Sequence, residues 1–120
     1  MEPISPVDRK FQKELTAGTH ALMLLAILAE AGEPLYGYQI AKQLEAQAPT
    51  VKLGTLYPVL RSLEAMALLD SRVEPSVTGP PRKYYALTDD GQQALQAWTR
   101  IWNTTRDGLD AVLKGVPHED

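Results

Sequence analysis

The side chains best suited to chemistry in this sequence are a few cations, hydroxyls and phenols in the middle third of its 120 residues. Arg and Lys bind the phosphate oxygens and base edges of DNA, and Thr and Tyr hydroxyls hydrogen-bond to the same groups. By residue type alone, each is equally well a solvated surface group or, for the tyrosines, part of a core. The secondary-structure elements that carry these residues must decide between DNA contact and these other roles. The candidate DNA-binding residues are Tyr38, Lys52, Thr55, Tyr57, Arg61, Arg82, Lys83 and Tyr84.

The distribution of charge favours the same middle third, although the net charge of the chain is -3. Residues 1–35 carry three basic and five acidic side chains, residues 36–86 carry six and four, and residues 87–120 carry three and six, which gives -2, +2 and -3. DNA meets only one face of a protein, so a locally basic segment is compatible with an acidic whole. An excess of two positive charges does not identify a DNA-binding protein by itself.

The residue pattern does not indicate an enzyme. The chain has no cysteine, which excludes a thiol nucleophile, a disulfide and a thiolate metal site. It has no glycine-rich phosphate loop and no metal-ligand spacing, and the acidic pair Asp89 and Asp90 is better explained as the start of a helix. We expect no enzyme, no cofactor and no metal.

The location follows from two further observations. The N-terminus lacks the basic-then-apolar order of a secretory signal, and the longest apolar run, residues 21–29, is too short to span a bilayer. We therefore expect a cytoplasmic protein with no membrane partner.

Two helices are predicted before the basic segment. Apolar residues spaced i, i+4 and i+8 indicate a short helix within an N-terminal arm, residues 1–18, that ends near Gly18. A core helix that is apolar on nearly every side then follows over residues 19–31, and Gly32 supplies its stop.

The next two helices would form a helix-turn-helix. One is predicted over residues 36–47, and the other begins near Thr55, whose hydroxyl can cap free N–H groups, and ends near Ala67. The outer face of the later helix has small side chains and a single cation, Arg61, so a DNA groove could accept it closely.

A hairpin completes the domain. Residues 69–73 and 82–87 alternate as strands around a loop with Pro and Gly, and the adjacent Tyr84 and Tyr85 should face opposite sides, with one of them buried. The predicted fold is mainly α with a small β-hairpin, a winged helix-turn-helix over residues 19–88. The wing cations would hold phosphate while the second helix of the motif enters the major groove.

A long helix is predicted over residues 89–114, followed by a tail of residues 115–120. Its apolar positions are spaced three, four, three, four and three, which is the seam of a helix packing along another helix. The compact winged domain has no obvious place for such a helix, so we expect the seam to meet a second subunit. The predicted dimer interface comprises Phe11, Leu95, Trp98, Trp102, Leu109 and Val112.

Two interpretations of Trp98 and Trp102 remain open. Tryptophan is enriched at interfaces, so both can be dimer core without any ligand. Alternatively, a symmetric dimer places indoles across a gap in which a flat aromatic effector could stack.

Three motifs resemble the PadR family of bacterial regulators: LYGYQI at residues 35–40, GTLYPVLRSLE at residues 54–64 and GPPRKYYALT at residues 79–88. The resemblance implies a homodimer held by the C-terminal helices that binds pseudo-palindromic operator DNA and represses a nearby gene. The chain is similar to the short subfamily that includes a multidrug-sensing lactococcal repressor, in which a Trp at the position of Trp102 stacks on flat ligands. Thr78 and Ala86 depart from the family pattern and imply a stiffer, less basic wing.

The mechanism expected from these features is a dimeric repressor relieved by an aromatic, phenolic or drug-like effector. Ligand between the C-terminal helices would change the separation of the two winged domains and release DNA. The alternatives are a winged-helix module that binds protein and not DNA, and a dimeric carrier of small molecules that ignores DNA.

Overall fold

The structure is a computed structural model that describes residues 5–48 and 51–117. Within these residues, four helices surround a small antiparallel sheet and the last helix extends beyond the domain, so the predicted mainly α class with a winged helix-turn-helix is confirmed. In chain order the elements are α1 (Pro6–Ala31), β1 (Leu35–Tyr36), α2 (Gly37–Gln47), α3 (Leu53–Ala65), β2 (Leu69–Glu74), β3 (Arg82–Leu87) and α4 (Asp89–Lys114).

Helix α1 is continuous, and the prediction of a short helix ending near Gly18 was wrong. It begins after Ser5, whose side chain accepts a hydrogen bond from the Asp8 N–H at 3.1 Å. A helical glycine costs only about 1 kcal/mol relative to alanine, so good helix formers on both sides carry the helix through Gly18. The end is at Gly32, which has a left-handed φ of 67° and donates its N–H to the Leu28 carbonyl.

The core lies between the C-terminal half of α1 and the helices α2 and α3. Ile40 and Leu44 of α2 are buried as the apolar spacing predicted. None of the described polar or charged residues is buried, so this core contains only apolar side chains and one tyrosine. The buried hydrophobic residues are Leu24, Leu25, Ile27, Leu28, Leu35, Ile40, Leu44, Leu56, Leu60, Leu63, Leu69 and Tyr85.

The sheet has three strands in the order β1-β3-β2, whereas the sequence predicted a two-stranded hairpin. Strand β1 pairs antiparallel with β3 through Leu35 opposite Tyr85 and Tyr36 opposite Tyr84. Two residues are too few to show alternation, which is why β1 was missed. Tyr85 is buried and Tyr84 is only partly buried, so the predicted split of the tyrosine pair is confirmed.

A tight junction joins the domain to α4. The Thr88 hydroxyl donates to the Ala67 carbonyl at 2.7 Å and accepts from the Gly91 N–H at 3.0 Å. Gly91 is buried, and a Cβ there would collide with the backbone carbonyl of Leu68. The start of α4 is therefore fixed directly against the turn that follows α3.

The first half of α4 packs against its own chain, whereas the second half does not. Leu95 and Trp98 were predicted to contact a partner subunit. In the structure they lie partly buried against the core of their own chain. This happens because α1 extends far enough to pack along the first half of α4. From Ile101 to Lys114 every residue of α4 is exposed in the single chain.

By length and composition α1 could also cross a membrane, since its mean hydropathy reaches 1.2 over an 18-residue window. The core helix of a folded domain passes the same test. The C-terminal half of α1 is such a helix, with Leu24, Leu25 and Leu28 buried.

Candidate nucleic-acid interface

Helix α3 presents one polar face to solvent. Thr55, Tyr57 and Arg61 are exposed on it, while Leu56 and Leu60 point into the core. The prediction that Thr55 caps free N–H groups was wrong, because its hydroxyl donates to the Lys52 carbonyl at 2.7 Å. The exposed face is nevertheless the predicted one.

An open groove of about 400 Å³ joins this face of α3 to the start of α2 and to the wing. It brings together five of the predicted residues. The other three do not line it: Lys52 and Thr55 lie at the N-terminal end of α3, and Tyr84 lies on β3 against the Tyr36 ring. The groove is lined by Tyr36, Gly37, Tyr38, Tyr57, Arg61, Pro81, Arg82, Lys83 and Tyr85.

Tyr36 is the centre of this groove, although the sequence favoured Tyr38. The Tyr36 ring meets the Tyr84 ring edge-on at 5.4 Å and stacks with the Tyr38 ring at 6.4 Å. The guanidinium carbon of Arg82 lies 4.6 Å from the Tyr36 ring centroid, within the range of a cation–π contact. Tyr36 therefore holds a wing cation at the edge of the groove. The pairing of β1 with β3, which places Tyr36 beside Tyr84, was the missing signal.

Gly37 allows α3 to approach α2 closely. A Cβ at Gly37 would lie 3.0 Å from the Tyr57 hydroxyl oxygen, so a larger residue would displace that ring. Tyr57 remains 41% exposed, which leaves its edge available to a ligand.

Lys83 is engaged differently from Arg82. Its Nζ forms an ion pair with Glu64 Oε1 of α3 at 3.2 Å and lies 5.4 Å from the centroid of the Tyr85 ring. The other Glu64 carboxylate oxygen accepts a hydrogen bond from the Ser71 hydroxyl of β2. The Ser71 hydrogen bond and, after it, Lys83 lower the pKa of Glu64, although desolvation opposes them. Glu64 in turn raises the pKa of Lys83.

A second concave region lies where α1 crosses α4. Trp98 and Trp102 line a mainly apolar groove of about 480 Å³, and Trp102 also lines a neighbouring one of about 430 Å³. Trp102 is 38% exposed, whereas Trp98 is also packed against the core. Glu14 of α1 is the only charged residue of the larger groove.

The fold and the groove define a winged helix-turn-helix protein with a cationic, aromatic recognition surface. The model of the transcriptional regulator PadR-like family matches residues 24–97. The chain belongs to this family. It is a DNA-binding transcriptional regulator and not an enzyme.

Solved structures agree with this assignment. A PadR family transcription regulator from Clostridium difficile is 30% identical, with 80% of this chain and 99% of that chain covered and a TM-score of 0.69. A PadR family regulator from Eggerthella lenta is 27% identical over 93% of this chain and 100% of that chain, with a TM-score of 0.71. Bacillus subtilis PadR in complex with operator DNA is 27% identical, with a TM-score of 0.61, over 68% of this chain and 46% of that chain.

Proposed function

We propose that this regulator is a homodimeric repressor that binds pseudo-palindromic operator DNA and is released by a planar aromatic effector. The observation that carries the proposal is the groove in which the outer face of α3 and the wing meet around Tyr36, Arg61 and Arg82. The similarity to a PadR bound to operator DNA supports it. A repressor of this kind acts in the bacterial cytoplasm, at the nucleoid.

The two sides of the groove have different tasks in this proposal. Thr55, Tyr57 and Arg61 enter the major groove and contact base edges, for which the exposed face of α3 is suited. Arg82 contacts phosphate from the wing, and Lys52 does so from the start of α3. Tyr38 and Tyr84 border the same surface and supply phenolic hydroxyls.

The dimer is supported by apolar residues that the single chain leaves uncovered. Phe11 on α1 is 63% exposed, and Leu109 and Val112 on α4 are 52% and 70% exposed. Val7 and Leu15 continue the stripe on α1 at helical spacing. Soluble monomers rarely expose large contiguous apolar patches, so a second copy packed on these helices accounts for them. Two recognition helices would then read half-sites about one DNA turn apart.

The effector would occupy the concave region around Trp102. Its walls are mainly apolar, and an indole face suits a flat aromatic ring. Because α4 starts at the fixed junction with α3, a ligand that separates two copies of α4 also moves the two recognition helices. Binding of the effector would thereby weaken the grip on DNA.

The DNA proposal is tested by fluorescence anisotropy with DNA from upstream of the protein's own gene, titrated with salt and with random competitor DNA. We expect tight binding that survives the competitor and weakens steeply with salt. Arg82→Ala should weaken it, whereas Arg100→Ala, on the exposed side of α4 away from the groove, should not. If the protein binds this DNA no more tightly than random DNA, and Arg82→Ala does not change the affinity, the protein-interaction alternative is favoured.

The effector proposal needs two readouts because a mere carrier would also bind aromatic compounds. Quenching of Trp fluorescence identifies ligands, and Trp102→Ala should abolish most of their affinity. A bound ligand should then release the operator. If ligand-saturated protein holds its operator as tightly as the free protein does, the coupling is refuted.

A further inference from the structure

One carboxylate connects the recognition helix to both strands of the wing. Glu64, near the C-terminal end of α3, forms an ion pair with Lys83 of β3 at 3.2 Å and accepts a hydrogen bond from the Ser71 hydroxyl of β2. Ser71 is paired in the sheet with the buried Tyr85, so the core fixes that side of the contact. A charge-assisted hydrogen bond and an ion pair at one carboxylate restrict the angle between α3 and the wing.

We infer that Glu64 is a positioning residue for DNA recognition, which holds the wing against α3 and engages Lys83 so that Arg82 is the wing cation that contacts phosphate. The inference rests on the DNA-binding surface proposed above. It also revises that surface, because Lys83 was predicted to contact DNA directly.

The two neighbouring wing cations differ in their surroundings. Arg82 lies over the Tyr36 ring and forms no ion pair with any acid among residues 5–48 and 51–117. Lys83 is paired with Glu64 and lies near Tyr85. The carboxylate raises the pKa of Lys83, so both partners of the pair are charged at neutral pH. The pair of Lys83 and Glu64 carries no net charge, so as a unit it neutralises no phosphate and releases no counterion from DNA.

Glu64 should therefore affect specificity more than overall affinity. It adds a negative charge near the DNA-facing surface and withholds one cation from phosphate, and both effects weaken binding to random sequence. By fixing the wing it favours the one arrangement in which α3 and Arg82 engage an operator together. Without the carboxylate, Lys83 could contact a phosphate whether or not α3 is aligned with an operator sequence.

The test measures the salt dependence of binding to operator and to random DNA for four variants of the full chain. Arg82→Gln should reduce the slope of log affinity against log salt by about 0.9, the value for one phosphate contact, while the double variant Glu64→Gln/Lys83→Met, which removes the whole neutral pair, should leave the slope unchanged. Glu64→Gln should steepen the slope by about 0.9 and lower the ratio of operator to random affinity about twofold, as a partly exposed ion pair allows. The double variant Glu64→Gln/Lys83→Met should lose the steepening but keep the reduced ratio.

The outcomes separate this inference from the proposed surface. If the double variant reduces the slope as much as Arg82→Gln does, Lys83 contacts phosphate and the inference is wrong, while the surface stands. If operator binding is unchanged in Arg82→Gln and in the double variant alike, the proposed surface fails as well. A purely stabilising role for Glu64 would leave the slope and the affinity ratio of the folded protein unchanged, and that result would also overturn the inference. Ser71→Ala, which keeps the ion pair, should lower the ratio without steepening the slope.

Discussion

The N-terminal end of α1 and the C-terminal end of α4 are exposed, whereas the other end of each helix packs against the core. All twelve buried hydrophobic residues of the described chain lie from Leu24 to Tyr85, within the stretch that the family model matches. The first turns of α1 and all of α4 from Ile101 onward are exposed, although both carry large apolar side chains. The winged helix-turn-helix domain closes its own core, whereas the projecting ends of α1 and α4 leave their apolar side chains uncovered in the single chain.

In the proposed dimer, this contrast separates a region whose stability does not depend on protein concentration from one whose stability does. Full burial of one large apolar side chain stabilises by about 1.5–3 kcal/mol, and the projecting helices lack that contribution in a single chain. Helical segments of their length are marginal in water without packing. We therefore expect substitutions in the two regions to act on different equilibria, one within the chain and one between two copies.

The largest effect is expected in the closed core. Leu60 of α3 is completely buried, and Leu60→Ala should destabilise the fold by about 2–5 kcal/mol through the lost burial and the cavity that remains. Denaturant unfolding measures the loss. The free-energy difference should persist under conditions that keep wild type and variant monomeric. A loss that vanished in such monomers would contradict a self-contained core.

The junction between the regions should come next. Gly91→Ala places a methyl group against the backbone carbonyl of Leu68, which cannot move aside as a flexible side chain would. We expect a destabilisation of about 1–3 kcal/mol, as for other overpacked sites. Gly108→Ala is the matched control in the same helix, since nothing lies within 4 Å of its added Cβ.

The control also examines the projecting region. In a helix exposed to water, Gly108→Ala should stabilise by roughly 0.5–1 kcal/mol. If it weakens the dimer instead, the second copy crosses α4 closely at Gly108. Thermal unfolding and sedimentation velocity together separate these two results.

An effect between those of Gly91→Ala and Gly108→Ala should appear at the seam of the proposed dimer. Leu109→Ala should raise the dimer dissociation constant about tenfold, equivalent to roughly 1.4 kcal/mol, and leave the unfolding of the monomer nearly unchanged. Arg100→Ala, on the opposite side of α4, is the control. Analytical ultracentrifugation across a dilution series gives both constants. An unchanged dissociation constant for Leu109→Ala would place the interface elsewhere.

The sequence predicted most of the closed region because its signals are local. The apolar spacing placed Ile40, Leu44 and Leu60 in the core, and Gly32 marked the end of α1 correctly. The break at Gly18 was wrong because one glycine is a weak stop without a following proline or a left-handed turn. The outer face of α3 was also foreseen from its polar residues.

The parts that the sequence missed depend on contacts between distant residues. The two residues of β1 form a strand only because β3 lies beside them, and Tyr36 becomes the centre of the groove through that pairing. The pairing of Lys83 with Glu64 joins residues 19 positions apart, and no short motif reports it. Leu95 and Trp98 were assigned to a partner because the sequence did not show that α1 extends along α4.

The smallest effect expected is the pH dependence of the Glu64–Lys83 pair, and it tests whether the wing belongs to the closed region. The pKa of Glu64 is lowered from its ordinary value of 4.5, so its stabilisation is present above pH 4.5 and is lost as the pH falls through the folded-state pKa. The pKa of Lys83 is raised from 10.5, so its stabilisation is present below pH 10.5 and is lost as the pH rises further. Because the pair is partly exposed, solvent screening limits its contribution to stability to a few tenths of a kcal/mol.

The difference in unfolding free energy between wild type and Glu64→Gln should therefore be small and constant from pH 5 to 9 (about the window set by the two shifts) and should shrink below pH 4.5. A difference that grew on acidification would mean that the carboxylate destabilises the folded wing, and the wing would then have to be held by the sheet alone.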